Sequence, residues 1–387
     1  MQGHMPTQTI RKILTRDFIL ASFIQFALAF VFFILVPTLP IYLSRMGSSE
    51  VEIGVLIGIL PASSLVLRPF TGRALLKIPE KSFLIAGALL YAFSSVAYIF
   101  TPPFWPFLIV RILHGVGLAF SFTALFTLIA NISPEGHRGQ SLGYFFLTYN
   151  LSSALAPPLG MFLINHFSFT LLFLVCLGLS LCSLLIISQL GKRELPPLED
   201  SSIEDGFYLS RKAIAPSIIN FFFFFILGTL YAFFPLYSID HGVANPGVFF
   251  STIAVLLILG RVLGGEILDL YGRERIILPC LFIFIISMVI LSFSRTLPMF
   301  ILVAVIWGIG HAFFFPSLVA YVLDRVRSSL GPAMGTFAVI SDLGTCLGPV
   351  IMGIVLRFTN YHIMFLCLAL VGIINLNYFS FFVRKKR

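Results

Sequence analysis

Long apolar segments alternate with short polar or glycine- and proline-containing breaks along almost the whole chain. A helix needs about 20 mostly apolar residues to cross the hydrocarbon core of a membrane. The pattern therefore predicts an all-α integral membrane protein with twelve transmembrane helices. The predicted spans are 17–43, 51–72, 82–100, 105–130, 138–165, 167–190, 214–237, 247–268, 276–294, 298–323, 331–357 and 361–383. The weakest break is Asn165-His166-Phe167-Ser168.

Composition supports this interpretation and excludes an ordinary soluble enzyme. Of 387 residues, 58% are hydrophobic and only 11% are charged, against roughly 25% charged in an average soluble domain. The mean hydropathy is +1.02. The sequence shows no nucleophile constellation, metal-ligand cluster or phosphate-binding loop, and its five cysteines lie in apolar runs without C-x-x-C spacing. We therefore expect no enzymatic activity, no cofactor and no metal.

Basic residues predict the orientation in the membrane, because cytoplasmic loops retain Lys and Arg. Nineteen lie in the two tails and the even-numbered loops, and only Arg45, Arg295 and Arg357 lie in the odd-numbered loops. The nineteen are Arg11, Lys12, Arg16, Arg73, Lys77, Lys81, Arg138, Lys192, Arg193, Arg211, Lys212, Arg273, Arg275, Arg325, Arg327 and the four residues 384–387. Topology thus accounts for the net charge of +9 without nucleic-acid binding, and both termini are expected in the cytoplasm of a plasma-membrane protein.

The chain also contains an internal repeat. A polar stretch, 191–213, reads as a cytoplasmic linker between an N-terminal six-helix bundle, 1–190, and a C-terminal one, 214–387. Residues match between the halves at offsets of 193 or 192: Arg68 with Arg261, Gly115 with Gly308, Gly143 with Gly335, and Pro157 with Pro349. Two parallel repeats imply pseudo-symmetric bundles that rock around a cavity at the membrane midplane.

One segment after span eight carries the most specific motif. It reads G-x-x-x-D-x-x-G-R-x-R and is formed by Gly265, Asp269, Gly272, Arg273 and Arg275. The segment resembles motif A of the major facilitator superfamily, whose twelve-span fold the whole chain fits. The resemblance implies that Asp269 pairs with nearby Arg residues and a helix N-terminus of the other bundle, and so latches one conformation. An ordinary solvated turn is the alternative. The first-half counterpart has Leu76 at the acidic position, which implies two unequal gates.

Span four contains an arginine within an apolar run. Arg111 precedes Gly115-Val116-Gly117 in a pattern that resembles motif B of the same family, which the family associates with proton coupling. A guanidinium in hydrocarbon costs several kcal/mol unless it meets partners or water, so Arg111 is expected to face the cavity. Snorkelling to the nearby membrane surface is the alternative. His114 lies at i+3 on the same face and either joins a polar site or packs as a hydrogen-bonded core histidine.

Span eleven contains the one carboxylate that we place near mid-membrane. Asp342 lies about 11 residues from the predicted start of the span, roughly 17 Å deep. Such an acid can exchange a proton between two access states, although a fixed ion pair or a helix hydrogen bond is the alternative. Its repeat partner is Asn150, and span one offers Gln25 where the family often places a coupling acid. Arg111 and Asp342 are the predicted coupling groups, and Arg68 and Arg261 are expected to orient bundles or lipid headgroups.

Small residues in span five resemble a degenerate motif C, the pattern associated with antiporters among twelve-span drug exporters. The positions are Gly143, Ser152, Ala156, Pro157 and Gly160, and the span-eleven repeat carries Gly335, Gly344, Gly348, Pro349 and Gly353. Such helices either bend at the bundle interface or simply pack tightly.

The resemblance implies a secondary active transporter that works by alternating access, most consistent with proton-coupled efflux of small organic or amphiphilic molecules. Its expected partners are a small-molecule substrate, protons and the lipid bilayer, with the protein as a monomer. Some of the 44 phenylalanines could line a hydrophobic substrate pocket, although most must face lipid or other helices. Proton-linked uptake of a sugar or other polar solute is the alternative, and would require a more polar cavity. A membrane receptor that has lost transport activity, or a membrane enzyme, is the alternative from a different functional class.

Overall fold

The computed structural model describes residues 12–134, 137–191, 210–263, 272–326 and 330–383. Within them the chain folds into twelve long helices. These are α1 Arg16–Arg45, α2 Glu50–Ala74, α3 Glu80–Phe100, α4 Trp105–Ile132, α5 Arg138–His166, α6 Phe169–Ser188, α7 Arg211–Asp240, α8 Gly247–Leu263, α9 Arg273–Phe293, α10 Leu297–Val326, α11 Leu330–Phe358 and α12 Tyr361–Tyr378. A short π-helical turn, Phe379–Val383, follows α12.

Ten of the helices in the described residues are long and apolar enough to cross a membrane. Of the other two, α5 has 29 residues but carries Tyr149, Asn150, Ser152 and Ser153, and the described part of α8 is shorter. Large apolar side chains cover the outside of the molecule, as with Phe100 and Phe358, each 78% exposed. A surface of this kind suits lipid rather than water. The predicted all-α membrane fold is confirmed.

Polar side chains define several helix starts. Ser49 and Glu52 form a capping box at α2, with the Ser49 amide donating to Glu52 Oε2 at 2.8 Å. The weakest predicted break is a real one, because Ser168 caps α6 by accepting a hydrogen bond from the Leu171 amide at 3.2 Å. The C-terminal half begins at Arg211, inside the range predicted for the linker. Residues 192–209 lie outside the described part of the chain.

The two halves pack in the same way. In the first half, α1 contacts α5, α4 contacts both α2 and α3, and α3 contacts α6. The equivalent helices of the second half repeat this scheme, since α7 contacts α11, α10 contacts both α8 and α9, and α9 contacts α12. The contacts between halves are also related by the repeat, because α2 packs on α11 and α5 packs on α8. The pseudo-symmetry expected from the matching residues is therefore present.

Among the described residues, glycines mark close backbone contacts between the halves on one side of the molecule. We call the side from which α1 starts the terminal face, and the side of the α1–α2 turn the distal face. In the distal half of the molecule, Gly54 of α2 lies against the Pro349 carbonyl of α11, and Gly247 of α8 lies against Pro157 of α5. A side chain at either glycine would collide with this backbone.

The terminal ends of the same seam helices are open. A Cβ added at Gly72, Gly143 or Gly335 would meet no described atom within 4 Å. Hydrogen bonds also join the halves near the distal face, where Asn165 Nδ2 donates to the Ala244 carbonyl at 2.7 Å and Ser251 Oγ donates to the Ala154 carbonyl at 2.5 Å. The described structure is therefore closed at the distal face and open towards the terminal face.

Candidate functional site

A cavity of about 390 Å³ lies between the two halves and is lined by both of them. Its walls are mostly aliphatic and aromatic side chains, with a small polar set. All five residues predicted from the sequence as coupling or cavity groups line it, namely Gln25, Arg111, His114, Asn150 and Asp342. The sequence thus located these side chains at one site, and their roles stay predictions.

Asp342 of α11 forms an ion pair with Arg68 of α2. The two side chains are 19% and 22% exposed, respectively, and the Arg68 guanidinium also lies over the Phe122 ring, 4.9 Å from its centroid. We expected Arg68 to orient bundles or lipid headgroups, and its pair with Asp342 joins the two bundles in the cavity wall. The depth of Arg68 in α2 was readable from the sequence, but the face of α2 that meets α11 was not. The pair connects the two halves through the cavity wall.

Arg111 of α4 is buried and bonded to the backbone of α2. Its Nε donates to the Leu56 carbonyl at 2.8 Å and its Nη2 donates to the Ile57 carbonyl at 3.4 Å. Pro61 has no N–H, so the Ile57 carbonyl lacks its usual partner one helical turn further on. Arg111 therefore satisfies an acceptor that Pro61 leaves free. It faces the cavity as predicted and does not snorkel.

His114 lies one turn from Arg111 on α4 and is almost fully buried. Its Nδ1 is 2.8 Å from Tyr98 Oη, and its ring packs edge-on against Tyr91 with centroids 4.4 Å apart. Arg111 Nη1 lies 3.5 Å from the same Tyr98 oxygen. His114 is thus both a packed, hydrogen-bonded histidine and a cavity residue. The two tyrosines were missed from the sequence, because tyrosine is common in apolar helices and no spacing singled them out.

Gln25 of α1 and Asn150 of α5 are buried amides in the same cavity wall. Asn150 Nδ2 has no hydrogen-bond partner among the described residues. Tyr149, next to Asn150, also lines the cavity and packs edge-on against Phe33 at 4.9 Å. Asn150 and its repeat partner Asp342 therefore reach one space from opposite halves.

The motif A segment is only partly described. Gly265 and Asp269 lie outside the described residues, so the predicted latch stays a prediction. Gly272 immediately precedes α9, which begins with Arg273 and includes Arg275. Arg273 Nε lies 4.0 Å from Asp324 Oδ2 of α10, in a pair whose side chains are 31% and 69% exposed. An ion pair this exposed to water contributes little stability.

The residues of the degenerate motif C lie at helix contacts. Gly160 of α5 packs against Ile34 and Thr38 of α1, and Gly348 of α11 packs against Phe225 of α7. Pro157 and Pro349 lie on the two seams between the halves, and Gly143 lies at the open end of α5. Tight packing is therefore present at Gly160 and Gly348. Bending at these helices stays a prediction.

Comparison with known proteins gives consistent results. The Major Facilitator Superfamily model matches residues 21–265 and 247–387. The staphylopine export protein of Staphylococcus aureus (strain Mu50 / ATCC 700699) is 22% identical over 346 residues, 85% of this chain and 86% of that protein. Multidrug resistance protein 2 of Bacillus subtilis (strain 168) is 25% identical over 372 residues, 91% of this chain and 92% of that protein. A crystal structure of the nucleoside transporter NupG superposes with a TM-score of 0.77 at 15% identity, covering 96% of this chain and all of that one.

Proposed function

The chain belongs to the major facilitator superfamily, and from this premise we propose that it exports small organic or amphiphilic molecules in exchange for protons. It is a multi-pass membrane transporter. The observation that carries the proposal is the cavity between the halves, whose one described carboxylate, Asp342, pairs across the seam with Arg68. The names of the staphylopine exporter and of multidrug resistance protein 2 support export as the direction.

Basic residues support the orientation. Within the described residues, the clusters of Lys and Arg lie at the terminal face, and cytoplasmic loops retain such residues. The proposal therefore places both termini and the 191–213 linker in the cytoplasm. In this orientation the described conformation is open to the cytoplasm and closed to the outside, which is the state in which an exporter takes up its substrate. The protein acts as a monomer, because each chain supplies both walls of the cavity.

The ion pair supplies a physical basis for exchange. With Asp342 ionised and the cavity empty, the ion pair between Asp342 and Arg68 stabilises the described, inward-open arrangement of α2 and α11. A proton on Asp342 removes this attraction, and a bound substrate competes for the same polar wall. Each ligand then favours the passage to the other access state, while the empty, ionised protein stays inward-open. The transporter therefore changes access state when it carries a proton or a substrate, but not when it is empty and ionised. This dependence produces antiport.

The cavity wall supports an amphiphilic substrate over a sugar. Side chains such as Phe32, Leu118, Phe224 and Phe315 form most of the lining, and amide groups come from Gln25 and Asn150. A sugar site would need many more hydrogen-bonding groups to replace the water around each hydroxyl. Aromatic walls instead remove apolar surface from water.

Reconstitution into sealed vesicles tests the proposal. A panel of lipophilic cations, organic acids and sugars would be offered with an imposed proton gradient, and the internal pH would be followed with a trapped dye. We expect an amphiphilic compound to accumulate as protons leave the vesicle lumen. Movement of substrate and protons in the same direction, or accumulation of sugars alone, would contradict export by antiport. Empty vesicles and vesicles without a gradient provide the controls.

A further inference from the structure

The described part of the cavity has an unbalanced positive charge. Its charged side chains are Arg68, Arg111 and Asp342, and the first and last of these form an ion pair. The partners of Arg111 are two backbone carbonyls and a tyrosine hydroxyl, all of them neutral. A guanidinium in a cavity with apolar walls binds most strongly to an ionised acceptor. The charge at Arg111 therefore lacks a counter-ion among the described residues.

Hydrogen bonds next to Arg111 leave a second donor without a partner. A guanidinium only donates, so Tyr98 Oη accepts from Arg111 Nη1. In the arrangement that uses every proton, Tyr98 then donates its own proton to His114 Nδ1 at 2.8 Å. His114 consequently carries its proton on Nε2. This nitrogen is buried and has no hydrogen-bond partner among the described residues, so it offers an N–H to a ligand.

Arg111 and His114 are one turn apart on one face of α4, and both line the cavity. The opposite wall, from the C-terminal half, includes Phe224, Phe250 and Phe315. The repeat positions of Arg111 and His114 in that half are Ala304 and Trp307, so this guanidinium–imidazole pair has no counterpart at the repeat positions. The cavity thus has a cationic, proton-donating end and an aromatic wall.

From these features we infer that the substrate is an amphipathic organic anion. An acidic group, such as a carboxylate, binds between Arg111 and His114 Nε2, and the apolar body packs against the aromatic wall. An ionised carboxylate has only acceptors, which matches a site that offers only donors. An ammonium group cannot bind the donors of Arg111 and His114, and the one described carboxylate of the cavity, Asp342, is already paired with Arg68. The inference names the substrate class of the proposed exporter and rests on that proposal.

Calorimetric titration of the protein in nanodiscs, with no proton gradient, tests this inference. The probes are naphthylacetate, naphthylacetamide and naphthylethylammonium, which share an apolar body and differ in charge. We expect naphthylacetate to bind about tenfold more tightly than the amide, the order of effect of a charge-assisted hydrogen bond. Arg111→Gln should abolish this difference. Arg357→Gln, which removes a guanidinium beside Phe358 near the distal end of α11, should retain it.

Two further variants keep the test decisive if Arg111→Gln does not fold. His114→Phe removes the Nε2 donor and keeps a ring against Tyr91, and Tyr98→Phe removes the hydroxyl that fixes the histidine proton. Both should weaken binding of the anion more than binding of the amide. The inference is wrong if the amide or ammonium compound binds as tightly as the anion, if neither variant changes the preference, or if no anionic naphthyl compound binds. Proton-driven export of cationic compounds alone would overturn this inference and still support the proposed function.

Discussion

Arg68 of α2 and Asp342 of α11 form an ion pair that links the two halves of the transporter through the wall of its central cavity. The pair lies between the closed distal contacts and the open terminal ends of the same two helices. Because α2 and α11 must move relative to each other when access changes, this pair is placed to make that movement depend on the charge of Asp342.

Breaking the pair should release the protein from the inward-open state. In a cysteine-free background, spin labels at Gly72→Cys and Gly335→Cys would report the separation of α2 and α11 at the terminal face. We expect Arg68→Gln to shorten the mean distance by favouring terminal closure, and the charge exchange of Arg68→Asp with Asp342→Arg to restore it. Distances unchanged in Arg68→Gln would show that the pair does not hold this state.

Close packing at the distal seam should be as important as the ion pair. Gly54→Val places a side chain against the Pro349 carbonyl of α11 and should prevent distal closure, with transport reduced at least tenfold, because a blocked access state stops the cycle. Gly178→Val provides the matched control, since a Cβ there meets no described atom within 4 Å. Spectroscopic distances across the distal face would separate a closure defect from misfolding. Full transport by Gly54→Val would refute the assignment.

Much of this site could be predicted from the sequence, and the reason is the cost of burying polar groups in an apolar protein. Gln25, Arg111, Asn150 and Asp342 interrupt apolar helices, and such groups must face the interior or water. Their helices were identifiable from runs of apolar residues, and the repeat related Asn150 to Asp342. All four accordingly line one cavity.

Pairing was not predictable in the same way. Sequence position fixes the depth of Arg68 along α2 but not the partner that faces it, and the α2–α11 seam follows from how two separate bundles meet. The Tyr98 hydroxyl was missed for a related reason. A tyrosine side chain can face lipid, the protein core or the cavity equally well. Only the fold brings the Tyr98 hydroxyl to Arg111 and His114.

Asp269, the acidic residue of motif A, should act as a second latch, and Asp324 provides the control. Asp269→Asn should preserve membrane insertion and change the populations of inward- and outward-open states. Asp324→Asn should have little effect, because its pair with Arg273 is largely exposed to water. Distance measurements across the terminal face would compare the two variants. Equal populations in Asp269→Asn and the unmodified protein would exclude the latch.

The proposed topology can be tested by chemical labelling in a cysteine-free background. Asp200→Cys, in the predicted linker, should react with a membrane-impermeant maleimide only after cells are opened. Ser44→Cys, exposed near the distal end of α1, should react from the outside of intact cells. The asymmetry of the basic residues is the physical reason. Labelling of position 200 in intact cells would reverse the orientation, and with it the direction in which the described conformation opens.

The most direct test of the coupling mechanism compares Asp342→Asn with the unmodified protein in sealed vesicles, using a substrate that the vesicle screen identifies. Proton-driven accumulation and substrate-driven counterflow would be measured at matched protein amounts, with Asp324→Asn as the control for loss of a carboxylate elsewhere. If Asp342 carries the coupling proton, Asp342→Asn abolishes accumulation and retains counterflow, because the amide does not bind a proton but the protein still exchanges substrate. Normal proton-driven accumulation by Asp342→Asn would contradict proton coupling at Asp342 and return this residue to a structural role.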